Sequence, residues 1–223
     1  SIIMSNLDDI NVVTSAGGTT GGGADTVNIS DVSTGFALNV TGGNTAVDTD
    51  SATYTVALKT DGLADSMSLK MTGNSDLDVV SLTANGFETI AIEADDTSAV
   101  ANTTVDHSVS LAANAVKTLT LTGDASLTLT NTNTTLTSVN ASGMTDDFLF
   151  ATVGTLAADA TLTGGSGADA IGWSGGNTAS ATKSLTMTGG AGQDTLGGGA
   201  GGDTITDSSV ETNGNGNSFL GRG

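Results

Sequence analysis

"TLTLTGDASLTLT", residues 118–130, contains one short phrase twice. Leu119 and Leu121, then Leu127 and Leu129, alternate with hydroxyl residues, and a period of two places the leucines on one face of a strand. Thr between them faces the other side. Phrases of this kind recur along the chain: "LNVTG" (38–42), "LKMTG" (69–73), "LTLTG" (119–123), "ATLTG" (160–164) and "LTMTG" (185–189). Their last glycines, Gly42, Gly73, Gly123, Gly164 and Gly189, are unevenly spaced. "FETIAIEA" (87–94), "VKTLTLTG" (116–123) and "LTSVNASG" (136–143) share a related pattern, apolar at the first, fourth and sixth places.

Repetition of one strand phrase predicts a parallel β-solenoid, in which each rung leans on its neighbours and a narrow apolar core runs the length of the stack. Unequal spacing predicts loops of different length between rungs. The competing arrangement is an antiparallel β-sandwich with glycine-rich hairpins, because alternation alone does not give strand direction. Proline is absent, which suits uninterrupted ladders. Helix is disfavoured by the abundance of Gly and Thr; "SLAANAVKTL" (110–119) is the best exception, room for one short turn.

The 223 residues include 32 Gly, no Cys and only 3% aromatics, so the core must be built from small aliphatics in thin layers. Twenty-four acidic against five basic residues give a net charge of −19. That balance argues against nucleic acid or an anionic membrane as partner and favours cations. Nearly all the acids are Asp, which suits turns and metal coordination better than helices. No stretch approaches the ~20 apolar residues of a membrane span. "SIIMSNLDDI" (1–10) is neither an initiator Met nor a cleavable signal, so the chain reads as a fragment, which leaves export open.

Three segments fit Gly-Gly-x-Gly-x-Asp-x-aliphatic-x: "GGSGADAIG" (164–172), "GGAGQDTLG" (189–197) and "GGAGGDTIT" (198–206). Their glycines are Gly164, Gly165, Gly167, Gly189, Gly190, Gly192, Gly198, Gly199 and Gly201, and their acids Asp169, Asp194 and Asp203. Ca²⁺ takes six to eight oxygens, and a glycine turn can offer carbonyls with no side chain in the way. Ile171, Leu196 and Ile205 would then point into the core. Weaker copies put Asp25 in register in "TGGGADTVN" (20–28) and Asp78 in "GNSDLDVVS" (73–81). In "NGNGNSFLG" (213–221) Ser218 replaces the Asp. For each weak copy the alternative is an ordinary glycine turn with a solvated acid.

In these nonapeptides the chain resembles the RTX family, whose repeats form a calcium-bound parallel β-roll. The resemblance implies an irregular β-solenoid over 1–163 continuing into a calcium-binding roll over 164–223. It also implies ions held between turns stacked two repeats apart, with Asp194 and Asp203 on opposite edges. The offset between the first two good copies is not a multiple of nine, so 173–188 is expected to interrupt the roll.

Several other residues invite a chemical reading. His107, the single histidine, is expected in a surface loop, and one histidine makes neither a triad nor an ordinary zinc site. Trp173 and Tyr54 are candidates for stacking on carbohydrate or on a lattice neighbour, although a single Trp more often caps a core. "TDDF" (145–148) either binds an ion or solvates a turn. No H-E-x-x-H motif is present, and no enzyme activity is expected. The composition is similar to that of RTX-type S-layer proteins of Gram-negative bacteria. That resemblance implies type I secretion, Ca²⁺ as the cofactor, self-assembly into a surface lattice, and attachment to outer-membrane lipopolysaccharide through another domain. An accessory roll of a secreted RTX protease or lipase, and a biofilm or host adhesin, are the competing readings.

Overall fold

A computed structural model describes residues 2–5, 9–13, 25–42, 50–74, 76–98, 105–152, 156–172, 183–199, 201–206 and 218–220. Over these the chain forms strands and turns only. The strands are β1 (Ile2–Ser5), β2 (Asp9–Val13), β3 (Asp25–Val32), β4 (Phe36–Gly42), β5 (Asp50–Leu58) and β6 (Ser66–Gly73). Next come β7 (Leu77–Asn85), β8 (Thr89–Asp96), β9 (Asp106–Ala112), β10 (Thr118–Gly123), β11 (Ser126–Asn131) and β12 (Ser138–Met144). The last are β13 (Phe148–Thr152), β14 (Ala160–Thr163), β15 (Ala170–Ile171), β16 (Leu185–Thr188), β17 (Thr195–Gly197), β18 (Thr204–Thr206) and β19 (Ser218–Leu220).

Odd-numbered strands make one sheet and even-numbered strands another, each in sequence order. Every pairing is parallel and joins a strand to the one two places on. Hairpins would pair consecutive strands, so the antiparallel sandwich is excluded. The chain therefore coils, laying one strand in each sheet per turn, and the fold is a parallel β-solenoid. Strand pairing crosses from 163 to 164 without a break, through β12–β14–β16 and β13–β15.

Register explains why the strand phrase repeats. Met67, Ile90, Leu119, Val139, Leu162, Met187 and Ile205 stand in one column of the even sheet. The first six are buried, and Ile205 at the end of the described stack is partly so. On the outer face of that sheet Thr118, Ser138, Thr161, Thr186 and Thr204 form a matching column. From Met67 onward the coils along the apolar column are unequal, longest from Ile90 to Leu119 and shortest from Met187 to Ile205. Length therefore varies in the turns while the strands stay in register. The last of these coils is two nonapeptides long.

Three expectations change. Residues 110–119 hold the end of β9, a turn at 114–115 and the start of β10, with no helical turn. Tyr54 is fully buried in β5, because its place in the alternation is the inward one, so it is core and not a contact surface. His107 is fully buried as well, the first inward residue of β9. Trp173 lies outside the described residues.

Burying a leucine stabilises by about 2–3 kcal/mol, and truncation also leaves a cavity. Leu119→Ala should therefore lower unfolding free energy by ~3 kcal/mol in chemical denaturation. Thr120→Ala, on the outward face of the same strand, should stay within ~0.5 kcal/mol.

Candidate metal centre

The nonapeptide turns link the two sheets. Turn 164–169 connects β14 to β15 and turn 189–194 connects β16 to β17, so both lie on the even-to-odd edge. Turn 198–203 connects β17 to β18 on the opposite, odd-to-even edge. Asp194 and Asp203 thus sit on opposite edges. The register Ala170↔Thr195 makes Asp169 and Asp194 direct neighbours, one coil apart. The offset between them is thus a whole coil, so the two turns are stacked although 25 residues separate the aspartates. Of the stretch between them, 173–182 lies outside the described residues.

Glycine at each place has a steric reason. A Cβ on Gly164 would fall 2.4 Å from Asp169 Oδ2, on Gly189 2.1 Å from Asp194 Oδ2, and on Gly198 2.4 Å from Asp203 Oδ2. The aspartate of each repeat folds back onto the first glycine of that repeat. The later glycines admit the neighbouring coil: a Cβ on Gly190 would lie 2.0 Å from the Gly165 carbonyl oxygen, and one on Gly192 2.1 Å from that of Gly167. Both also have positive φ, at 115° and 109°.

Each aspartate also reaches the coil before it. Asp169 Oδ1 accepts from Phe148 N at 2.9 Å, Asp194 Oδ1 from Asp169 N at 3.0 Å, and Asp203 Oδ1 from Leu185 N at 2.9 Å. Asp169 Oδ2 accepts from Gly165 N at 2.6 Å. Below them the "TDDF" turn is stacked under Gly167, and Asp147 Oδ1 accepts from Ala168 N at 2.7 Å.

This edge gathers negative charge out of water. Asp169 and Asp194 are each 1% exposed. Burial raises the Asp169 pKa to about 6 despite the Gly165 and Phe148 hydrogen bonds, and the charges of Asp194 and Asp147 push it the same way. Among the described residues no three Asp, Glu or His side chains converge on one point. An ion here would draw on backbone carbonyls as much as carboxylates, which Ca²⁺ accepts. The glycine turns supply these: the carbonyls of Gly165, Gly167 and Gly189 lie at the contact between the stacked turns. An oxygen-only donor set of two carboxylates and glycine carbonyls is of the kind a hard divalent cation takes.

The other predicted ligands are placed differently. Gly201 stacks on the Lys183 carbonyl, so turn 198–203 faces a coil without a second nonapeptide, and Asp203 has no aspartate partner in its column among the described residues. Gly199 lies in that turn and is buried. Asp78 stands within β7 on the outward side, and its carboxylate accepts from Ser108 Oγ, apart from any glycine turn. Asp25 opens β3 opposite Ala52, and 20–24 lie outside the described residues. Ser218 pairs with Thr195 and so stands one place beyond the Asp169–Asp194 column.

No family model, curated protein or solved structure matches this chain. The bearing on function therefore comes from the geometry and the nonapeptides alone.

Two outcomes are expected. Gly192→Ala should destabilise markedly in thermal unfolding, because its Cβ meets backbone at positive φ. Gly202→Ala should be close to neutral, since a Cβ there meets only Ser184 Oγ at 3.8 Å. Asp169 binds its proton more tightly folded than unfolded, so metal-free stability should fall as pH rises from about 4 to 6. Asp169→Asn should remove that part of the slope in pH-dependent melting under chelator.

Proposed function

We propose that this chain is part of a secreted, calcium-stabilised structural protein of a cell-surface layer. The observation that carries the reading is the buried stack of two glycine-aspartate turns, Asp169 over Asp194, on one edge of a parallel solenoid. In this reading Asp169 and Asp194 hold Ca²⁺ together with carbonyls of the Gly164–Gly167 and Gly189–Gly192 turns. Asp203, with Gly198 and Gly201, contributes a second, single-turn position on the far edge.

The mechanism is linkage. Without the cation, buried carboxylates repel one another and glycine-rich turns carry a large ordering entropy. A ligand that binds only the folded chain shifts the balance toward it by mass action. Low calcium inside the cell would keep the chain extended for type I export, and high calcium outside would fold it. The long parallel stack, with outward faces rich in Thr and Ser, then serves as a rigid scaffold for lattice contacts between copies. Anchoring to lipopolysaccharide belongs to another part of the whole protein in this reading.

Circular dichroism and melting with chelator, then with millimolar Ca²⁺, test the folding half. The expected result is a gain of β-signal and melting temperature with calcium, much reduced in Asp169→Asn/Asp194→Asn. An unchanged spectrum and melting temperature would overturn it. Electron microscopy and light scattering test assembly, where planar sheets are expected with calcium. Protein that stays monomeric at every concentration with calcium removes the lattice reading and leaves the metal site standing.

A further inference from the structure

His107 occupies a place in the same column as the calcium-site aspartates. Along the even-to-odd edge the register runs Leu77, His107, Leu127, Phe148, Asp169, Asp194. Where Asp169 and Asp194 accept a backbone N–H from the coil before, His107 does the same: Leu77 N donates to Nδ1 at 3.2 Å. With Nδ1 an acceptor, Nε2 carries the proton, and it lies 3.2 Å from the Asp95 carbonyl oxygen. The neutral ring is thus a buried strut that ties the start of β9 to the start of β7 and the end of β8.

We propose that His107 is an acid-sensitive latch on this edge. Protonation puts an N–H at Nδ1 facing the N–H of Leu77, breaks the bond between coils, and leaves two buried donors opposed. The Asp95 carbonyl and the charges of three carboxylates would favour its charged form: Asp76 before β7, Asp96 on β8 and Asp106 on its own strand. Asp76 Oδ1 is itself engaged by Asp106 N, and Asp124 Oδ1 by Asp96 N, both at 2.9 Å. Burial outweighs those charges and holds the imidazole below its ordinary pKa. A group depressed in this way binds its proton more readily unfolded. Its contribution is full above the unfolded pKa of about 6.5 and is lost as pH falls from there toward the folded value. The edge would hold at neutral pH and loosen in acid, with a sign opposite to that of Asp169.

Because the chain has one histidine, NMR titration of the wild-type imidazole is unambiguous. The expected result is the Nε2–H tautomer at neutral pH and a midpoint below that of free histidine; a midpoint at or above it, or the Nδ1–H tautomer, overturns the proposal. His107→Gln keeps an acceptor and a donor without titrating. Melting of both proteins from pH 7 to 5, with calcium and with chelator, should show an extra wild-type loss approaching tenfold in the unfolding equilibrium per pH unit. Parallel profiles for the two proteins would overturn the latch while leaving the calcium reading untouched. If the variant does not fold, the imidazole titration still decides.

Discussion

Parallel strands stacked about 4.8 Å apart set the condition that the rest of this molecule obeys. At that spacing each turn rests on the backbone of the turn beneath it, and any side chain between them must vanish or point away. Gly190 over the Gly165 carbonyl and Gly192 over that of Gly167 meet the condition by vanishing. Gly123 meets it earlier in the chain, where a Cβ would fall 1.9 Å from the Ala94 carbonyl oxygen at a φ of 129°. The glycines thus have a structural reason that holds with or without a cation. Carbonyls exposed to one another across the stack are a consequence of it.

The same spacing creates the electrostatic problem. Residues one coil apart are neighbours, so one aspartate per turn becomes a column of aspartates. Such acids are tolerable when solvated or paired, as Glu93 and Asp95 are with Lys70 Nζ, each at 2.7 Å. Asp169 is not solvated, and burial together with its acidic neighbours lifts its pKa. Hydrogen bonds from Gly165 and Phe148 offset part of that cost. A divalent cation between the turns is the simplest full compensation, which is why the calcium reading fits the electrostatics as well as the motif.

Most of the fold is legible in the sequence because it follows from one period. Leu119, Leu121, Leu127 and Leu129 alternate, their phrase repeats, and a repeated rung implies a stack. What the alternation cannot supply is which turns lie above which. Counted in nonapeptides, the stretch between Asp169 and Asp194 reads as an interruption. The coil is the true unit, and its length varies along the even sheet, from the long step Phe36–Met67 to the short step Met187–Ile205. Motif alignment groups Asp78 and Ser218 with Asp169 and Asp194, whereas strand register sets each one place away from that column. His107 misleads for the opposite reason. Its polar neighbours Asp106 and Ser108 suggest a surface loop, while His107, Val109 and Leu111 already alternate as an inward face.

The shared column gives the two polar devices a common origin. On this edge the backbone N–H groups of Leu77, Phe148 and Asp169 each need an acceptor from the following coil. Asp169 and Asp194 answer with a carboxylate and His107 with a neutral imidazole. In the coils between them the need is met differently, as where Leu127 N donates to the Asp147 carbonyl. The choice of acceptor fixes the chemistry of each coil. A carboxylate keeps its charge at neutral pH and invites a cation. An imidazole bonds without charge until acid protonates it. One geometric requirement, repeated up the edge, therefore places carboxylates at one end of the described stack and a neutral imidazole in its middle.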